Sequence, residues 1–173
     1  NGYDLGGCFG FDGVDDKVQL LDSTDLKNDK FTLTAWINHQ NSSEEGCIIA
    51  DSATWSDTGE GYGMQIASSR VQCRIHDGEQ LIKSLSGDTL VTPNVWHHVA
   101  CSYDGTNVKV YLDGVQDGEL AVTGITQETE TGVAEIGQLR DGNRTFFGEI
   151  QNIRAYKRAL TDGEINKLYR LRK

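Results

Sequence analysis

The dipeptide Asp-Gly occurs seven times in this chain, and short apolar runs lie between the occurrences. Asp-Gly favours a tight hairpin, because a type I′ turn needs a positive φ at both central residues. The intervening runs alternate with a period of two: Phe31, Leu33 and Ile37 share one parity, and Thr32 and Thr34 share the other. This alternation is typical of half-buried antiparallel strands. The two signals together predict an all-β chain with many short strands.

The alternation, together with turn and capping signals, also gives approximate bounds for the predicted strands and for one helix. A capping box at Thr161 and Glu164, followed by an apolar stripe of Ile165, Leu168 and Tyr169, predicts one short C-terminal helix. We therefore predict a two-sheet antiparallel β-sandwich, or jelly roll, in a single domain covering residues 1–173. Its strands are predicted at roughly 7–11, 17–21, 31–38, 47–51, 62–67, 70–76, 79–84, 96–103, 107–113, 116–121, 133–138 and 148–157.

Charge and hydropathy exclude two classes of partner. The chain has 173 residues and a net charge of −10, and its pI is about 4.7. Nucleic acids and anionic membrane surfaces require clustered Lys and Arg, so neither is an expected partner. No apolar run is long enough for membrane insertion.

The four cysteines, Cys8, Cys47, Cys73 and Cys101, form no C-x-x-C pair, which disfavours a zinc knuckle or a redox motif. They are either small buried hydrophobic residues or two disulfides of unknown connectivity. Strand parity places Cys73 with Val71 and Cys101 with Val99. Both are therefore expected to face the core, either free or paired with each other.

Three stretches carry a family resemblance when taken in order. They are FGFDGVDDKV at 9–18 with FTLTAWI at 31–37, WHHVA with YDG and VYLDG in 96–114, and FGEIQNIRAY with RALT in 147–161. Together they resemble the laminin-G-like jelly-roll domains of the concanavalin A-like lectin/glucanase superfamily. The resemblance covers about Phe9 to Tyr169. It implies a non-catalytic module of a secreted or cell-surface protein that acts in carbohydrate binding, adhesion or protein contacts, often with bound calcium.

Catalysis is disfavoured by the pattern of carboxylates. The glucanases of this superfamily carry Glu-x-Asp-x-(x)-Glu, which is absent here, and Glu135 stands alone in its strand. His97 and His98 cannot chelate one ion together, because adjacent strand residues point to opposite faces. His39 and His76 have no partner by spacing and are expected at the surface. A diverged glycosidase or polysaccharide lyase is the minor alternative.

Calcium is the expected cofactor. Asp12, Asp15 and Asp16 offer hard oxygen ligands within five residues, around a glycine-containing turn. The resemblance adds Asn152, at a point where related domains often have Asp. Alternatively, the three aspartates make Asx-turns in a solvated hairpin.

Two polar loops are the candidate ligand contacts. Trp55 lies in a polar stretch that ends at Tyr62, and it is either a platform for a sugar ring or a lid on the core. Arg140, Asn143 and Arg144 lie in the second loop, where arginine forks suit carboxylate-bearing sugars or an acidic protein; alternatively, they pair with neighbouring acids. The predicted function is extracellular recognition of a glycan or a surface partner. The alternative is an adhesive or self-associating assembly module.

Overall fold

The protein is described by a computed structural model over residues 7–20, 29–40, 45–51, 61–76, 82–123 and 133–171. These ranges contain twelve strands and one helix, and the predicted strands all have counterparts among them. The strands are β1 (Phe9–Asp12), β2 (Val18–Leu20), β3 (Phe31–His39), β4 (Gly46–Asp51), β5 (Tyr62–Ala67), β6 (Arg70–His76), β7 (Ile82–Ser86), β8 (Trp96–Tyr103), β9 (Asn107–Leu112), β10 (Val115–Ala121), β11 (Ala134–Ile136) and β12 (Phe147–Tyr156). The helix α1 is Asp162–Arg170.

The strands form two six-stranded antiparallel sheets. Sheet A has the order β1-β12-β3-β8-β9-β10, and sheet B has the order β2-β11-β4-β5-β6-β7. Neighbours such as β3 and β12 are far apart in sequence, as expected for a jelly roll. The predicted fold class is confirmed.

The core lies between the two sheets. Leu33 and Ile37 of sheet A and Met64 and Ile66 of sheet B are all at most 1% exposed, and they belong to one apolar cluster. For Leu33 and Ile37 this parity is the one predicted from the alternation in β3, and Met64 and Ile66 show the same period of two in β5.

Helix α1 covers the outer face of sheet A. Ile165 packs against Ala100, Tyr111 and Leu160, and the predicted capping box at its N-terminus is present. Trp36, which shares parity with the threonines of β3 rather than with the core, stacks on Tyr169 at 5.7 Å between ring centroids. The described residues contain no helix long and apolar enough to cross a membrane.

The Asp-Gly pairs do not all make hairpins. Asp113 and Gly114 join β9 to β10 with φ values of 50° and 79°, as the type I′ prediction requires. Asp117-Gly118 instead lies at a register shift within β10, and Asp162-Gly163 opens α1. In the latter case the preceding Thr161 caps a helix, and its two bonds with Glu164 outweigh the turn preference of the dipeptide.

Two histidines expected at the surface are buried. His39 and His76 are 3% and 2% exposed. They end β3 and β6, and the His39 ring packs 6.3 Å from the ring of Phe146. The prediction was wrong because both residues follow apolar strands whose ends are still covered by neighbouring segments.

Candidate functional site

The outer face of sheet B, turned away from the core, is polar. Strand alternation places Gln65 and Arg74 there, because their neighbours Met64 and Cys73 face the core. Glu135, Ala50, Gly63 and Arg74 are register partners in one row across β11, β4, β5 and β6. We call this surface the polar face; it consists of Gln19, Ala50, Gly63, Gln65, Gln72, Arg74, Ser86 and Glu135.

Exposure falls from the edges of the polar face to its centre. Gln19 on β2 and Ser86 on β7 are exposed, and Gln72 and Arg74 are half-buried. Gln65 and Glu135 are 0% and 2% exposed. The central side chains are thus largely buried. A buried polar atom without a hydrogen bond costs free energy.

Glu135 is the carboxylate at the centre of the polar face. Its Oε1 accepts a hydrogen bond of 2.6 Å from Gln19 Nε2 and lies 3.5 Å from Lys17 Nζ. Its Oε2 is buried and has no hydrogen-bond partner among the residues that the structure describes. A buried acceptor without a partner usually has a specific reason, such as a bound water, ion or ligand.

A chain of hydrogen bonds joins the other polar side chains across β5, β6 and β7. Gln65 Nε2 and Arg74 Nε both donate to Gln72 Oε1, and Gln72 Nε2 donates to Ser86 Oγ over 2.8 Å. These bonds fix the orientation of the Gln65 amide, and its Oε1 remains buried without a partner. The polar face therefore presents two buried acceptors, one at Glu135 and one at Gln65.

The loop between β11 and β12 folds over one side of the polar face. Leu139 packs on Cys47 and Ala50, and the carbonyl of Arg144 accepts from the backbone N–H of Cys47 over 2.8 Å. The Arg144 guanidinium pairs with Glu45. This loop thus forms a wall beside the polar face.

Arg144 of the β11–β12 loop interacts electrostatically with Arg74 of the polar face. Burial lowers the pKa of Arg74, and the nearby Arg144 cation lowers it further, while Glu45 raises it. Of the other predicted loop contacts, Asn143 is exposed and Arg140 is half-buried. The structure therefore brings Arg144 to the polar face and pairs it with an acid, as the alternative interpretation of these arginines expected.

The other two predicted ligand contacts have different outcomes. Trp55 lies outside the described residues. Tyr62 is 2% exposed and stacks on Phe31 at 3.9 Å between ring centroids. Burial raises the pKa of its phenol. Tyr62 is a core residue, so its selection as a surface contact was wrong: it begins β5 with the parity of Met64.

The three predicted calcium ligands lie together. Carboxylate oxygens of Asp12, Asp15 and Asp16 lie within 4.8 Å of one another, and all three residues are exposed. Asp12 Oδ1 accepts from the N–H of Val14, and Asp16 Oδ2 accepts from the N–H of Asp12. The bond from Val14 is the Asx-type contact of the alternative interpretation, so local geometry already accounts for part of the cluster.

Asn152 is separate from these carboxylates. Asp12 pairs with Phe147 across β1 and β12, and five strand residues at about 3.3 Å each put Asn152 roughly 16 Å further along β12. Asn152 has a φ of 51° at a register shift in that strand. The structure does not bring it to the predicted ligand set.

The paired histidines have structural contacts on different sides of β8. His97 Nδ1 lies 2.8 Å from Asp113 Oδ2, whereas the His98 ring packs against Trp36 and Tyr169. Burial lowers the pKa of His98 to about 4, partly offset by Asp113. The two rings do not share a ligand.

Sequence reasoning missed most of the polar face. It noted Glu135 only as an isolated carboxylate and did not select Gln65, Gln72 or Arg74. The available signal was parity: these residues alternate with the core positions of β5, β6 and β11. Parity alone does not distinguish a binding surface from ordinary solvated side chains.

Comparison with known families is decisive for the fold. The Laminin_G_3 family, described as concanavalin A-like lectin/glucanases superfamily, matches residues 12–166. The chain belongs to this superfamily. Its laminin-G-like fold therefore agrees with the resemblance found in the sequence.

Individual proteins are also similar to this chain in sequence or in structure. Pappalysin-1 of Mus musculus is 25% identical over an alignment of 173 positions that covers 90% of this laminin-G-like chain but only 10% of that protein. The carbohydrate-binding domain CBM40 of Ruminococcus gnavus IT-sialidase, solved with α2,3-sialyllactose, is 15% identical, with a TM-score of 0.79 over 95% of this chain and 97% of that one. A heptameric SAP-like pentraxin from Limulus polyphemus is 19% identical, with a TM-score of 0.70 over 92% and 80%. At these identities the two structures establish the fold alone.

Proposed function

We propose that this domain is a non-catalytic glycan-recognition module and that the polar face is its binding surface. The observation that carries the proposal is the pair of buried, unpartnered acceptors, Glu135 Oε2 and Gln65 Oε1. The superfamily relationship and the fold shared with CBM40 support a carbohydrate as the ligand.

Sugar hydroxyls match the chemistry of this face. Each sugar hydroxyl donates one hydrogen bond and can also accept, so two hydroxyls would satisfy the acceptors of Glu135 and Gln65, and each could still accept from a neighbouring donor. Ala50 and Gly63 lie between Glu135 and Arg74 in the strand register, and Leu139 of the β11–β12 loop packs on Ala50. Pairing a buried acceptor on binding also gives discrimination, because an analogue without the donor leaves that acceptor unsatisfied.

A binding role suits this carboxylate arrangement better than hydrolysis does. Glycosidases use two carboxyl groups flanking the scissile bond. Within the described part of the polar face, Glu135 is the one carboxylate, and the neighbouring Glu45 is paired with Arg144. The Arg144 side of the face also suits a ligand with an acidic group, provided that the group competes with Glu45 for the guanidinium.

Calcium is a second element of the proposal. The three clustered carboxylates supply the hard oxygen donors that calcium prefers, and their exposure leaves room for water ligands. In this assignment Asp12, Asp15 and Asp16 hold the ion, which neutralises their mutual repulsion and stiffens the turn after β1. Asn152 has no part in it.

An assembly module remains the alternative, and one feature favours it. A cleft of about 410 Å³ lies between β2 and β12, with Ile49, Ile136 and Ile153 in its lining. Phe9 and Leu20, at 53% and 39% exposure, lie at its rim. Exposed apolar surface of this kind is common at protein contacts. Sedimentation velocity over a hundredfold concentration range would detect self-association.

A glycan array tests the main proposal. The purified protein should retain a defined set of glycans, and repeating the array with calcium and with chelator separates the metal from the binding surface. Retention in both conditions would support the polar face without a metal contribution. No retention on arrays of neutral and acidic glycans, together with concentration-dependent association, would favour the assembly module. The superfamily relationship also supports an extracellular or cell-surface location, which an assay for secretion of the protein by its source cells would test.

A further inference from the structure

Two of the four cysteines meet in the centre of the core. Cys73 and Cys101 are both 0% exposed and belong to the apolar cluster between the sheets. Both are free thiols in this structure, their strands β6 and β8 contact each other across the core, and the two side chains are near enough to interact. They come from opposite sheets, since Cys73 lies on β6 of sheet B and Cys101 lies on β8 of sheet A.

Strand register explains why the two thiols face each other. Cys73 is paired laterally with Met64 and Leu85, and Cys101 is paired with Leu33 and Val110. The four neighbours are core or core-packed residues. Both thiols therefore project into the same layer between the sheets, where they have no polar partner other than each other among their described contacts.

The remaining two cysteines occupy different surfaces. Cys8 is exposed, and its thiol donates to Glu149 at the edge of sheet A. Cys47 lies on the outer side of sheet B beneath Leu139, on the far side of that sheet from Cys73. Neither is placed to compete for the thiols in the core.

We propose that Cys73 and Cys101 form a disulfide that joins the two sheets. Formation joins the two Sγ atoms and removes two protons and two electrons, which pass to a disulfide oxidant such as glutathione disulfide, releasing two glutathione thiols. Because both thiols are buried in the native state, the exchange takes place during folding, before the core closes. An extracellular destination would supply the oxidising conditions, but the bridge does not depend on glycan binding.

Tryptic mapping gives a direct test, because Lys and Arg residues separate all four cysteines. Cleavage places Cys8 in peptide 1–17, Cys47 in 31–70, Cys73 in 71–74 and Cys101 in 84–109. Protein refolded with glutathione disulfide should yield peptide 71–74 linked to 84–109, with free thiols in the other two peptides. Its denatured form should titrate two thiols, against four for protein refolded in dithiothreitol.

Matched variants connect the bridge to stability. Cys73→Ala and Cys101→Ala should each abolish the difference in melting temperature between protein refolded under oxidising and reducing conditions. Cys47→Ala, a variant at an equally buried position, should retain that difference. Four free thiols after oxidative refolding, or a link from peptide 71–74 to any peptide other than 84–109, would overturn the proposal. Equal melting temperatures of the oxidised and reduced wild type would overturn its stabilising role.

Discussion

Gln19 Nε2 donates to one carboxylate oxygen of Glu135 over 2.6 Å, while the other oxygen of Glu135 is buried without a partner. The contact fixes the carboxylate from the β2 side of sheet B, and the proposed function assigns its unpaired oxygen to a ligand hydroxyl. A site organised in this way exchanges some stability of the free protein for selectivity on binding. The proposed binding role of the polar face depends on this difference between the two oxygens of Glu135.

The first expected outcome concerns Gln65. Gln65→Met keeps the shape of a side chain that is 0% exposed and removes its unpaired acceptor. Gln72 Oε1 still accepts from Arg74 Nε over 3.0 Å. We expect the free energy of unfolding to stay within about 1 kcal/mol of wild type or to rise, and glycan affinity to fall about tenfold or more. Urea unfolding and binding titrations would measure the two effects. Unchanged affinity would remove Gln65 from the site.

Docking of helix α1 should depend on Ile165. This residue is 0% exposed against Tyr111 and Leu160, so Ile165→Ala should cost about 2–4 kcal/mol in urea unfolding. Lys167→Ala, on the exposed side of the same helix, is the control, and it should change stability by about 0.5 kcal/mol or less. Equal effects of the two variants would show that the helix is not packed as described.

Stability should fall on acidification because of His98. Burial lowers its pKa to about 4 in the folded state, whereas the unfolded residue titrates near 6.5. The unfolded state therefore takes up the proton first, so stability is lost as pH falls from about 6.5 to 4, by at most about 3 kcal/mol. His98→Phe should flatten this part of the pH profile. Parallel pH profiles of stability for variant and wild type would contradict this role of His98. The Asp113 carboxyl has a lowered pKa, so its own effect on stability falls below the pH range in which His98 acts.

Calcium should raise the melting temperature if the carboxylate cluster binds it. Binding to the native state alone stabilises by about 1.4 kcal/mol at a calcium concentration tenfold above the dissociation constant. Asp15→Asn should abolish the rise, since it removes one of the three clustered carboxylates. Asp88→Asn, an exposed position in the turn after β7, controls for loss of surface charge. A rise that persists in Asp15→Asn would place the ion elsewhere.

The sequence predicted the fold in more detail than it predicted the site. Alternation predicted which residues of β3 and β6 face the core, because burial of one strand face follows a period of two. Tyr62 was wrongly predicted as a surface contact. It follows a polar stretch, so alternation does not show whether its side chain faces the core until the start of β5 is known. Glu135 and Gln65 share the outer face of sheet B only through the order of β11, β4 and β5, which no local pattern encodes.

The most direct measurement of the central claim is a calorimetric titration of wild type, Glu135→Gln and Glu119→Gln with one glycan retained on the array. Glu119 is an exposed carboxylate on β10 of sheet A, so its variant makes the same chemical change away from the polar face. The account predicts that Glu135→Gln weakens binding by about tenfold or more, since a charge-assisted hydrogen bond is lost, while Glu119→Gln binds like wild type. Equal affinities for all three proteins, with the fold intact by circular dichroism, would contradict it and place the glycan on another surface.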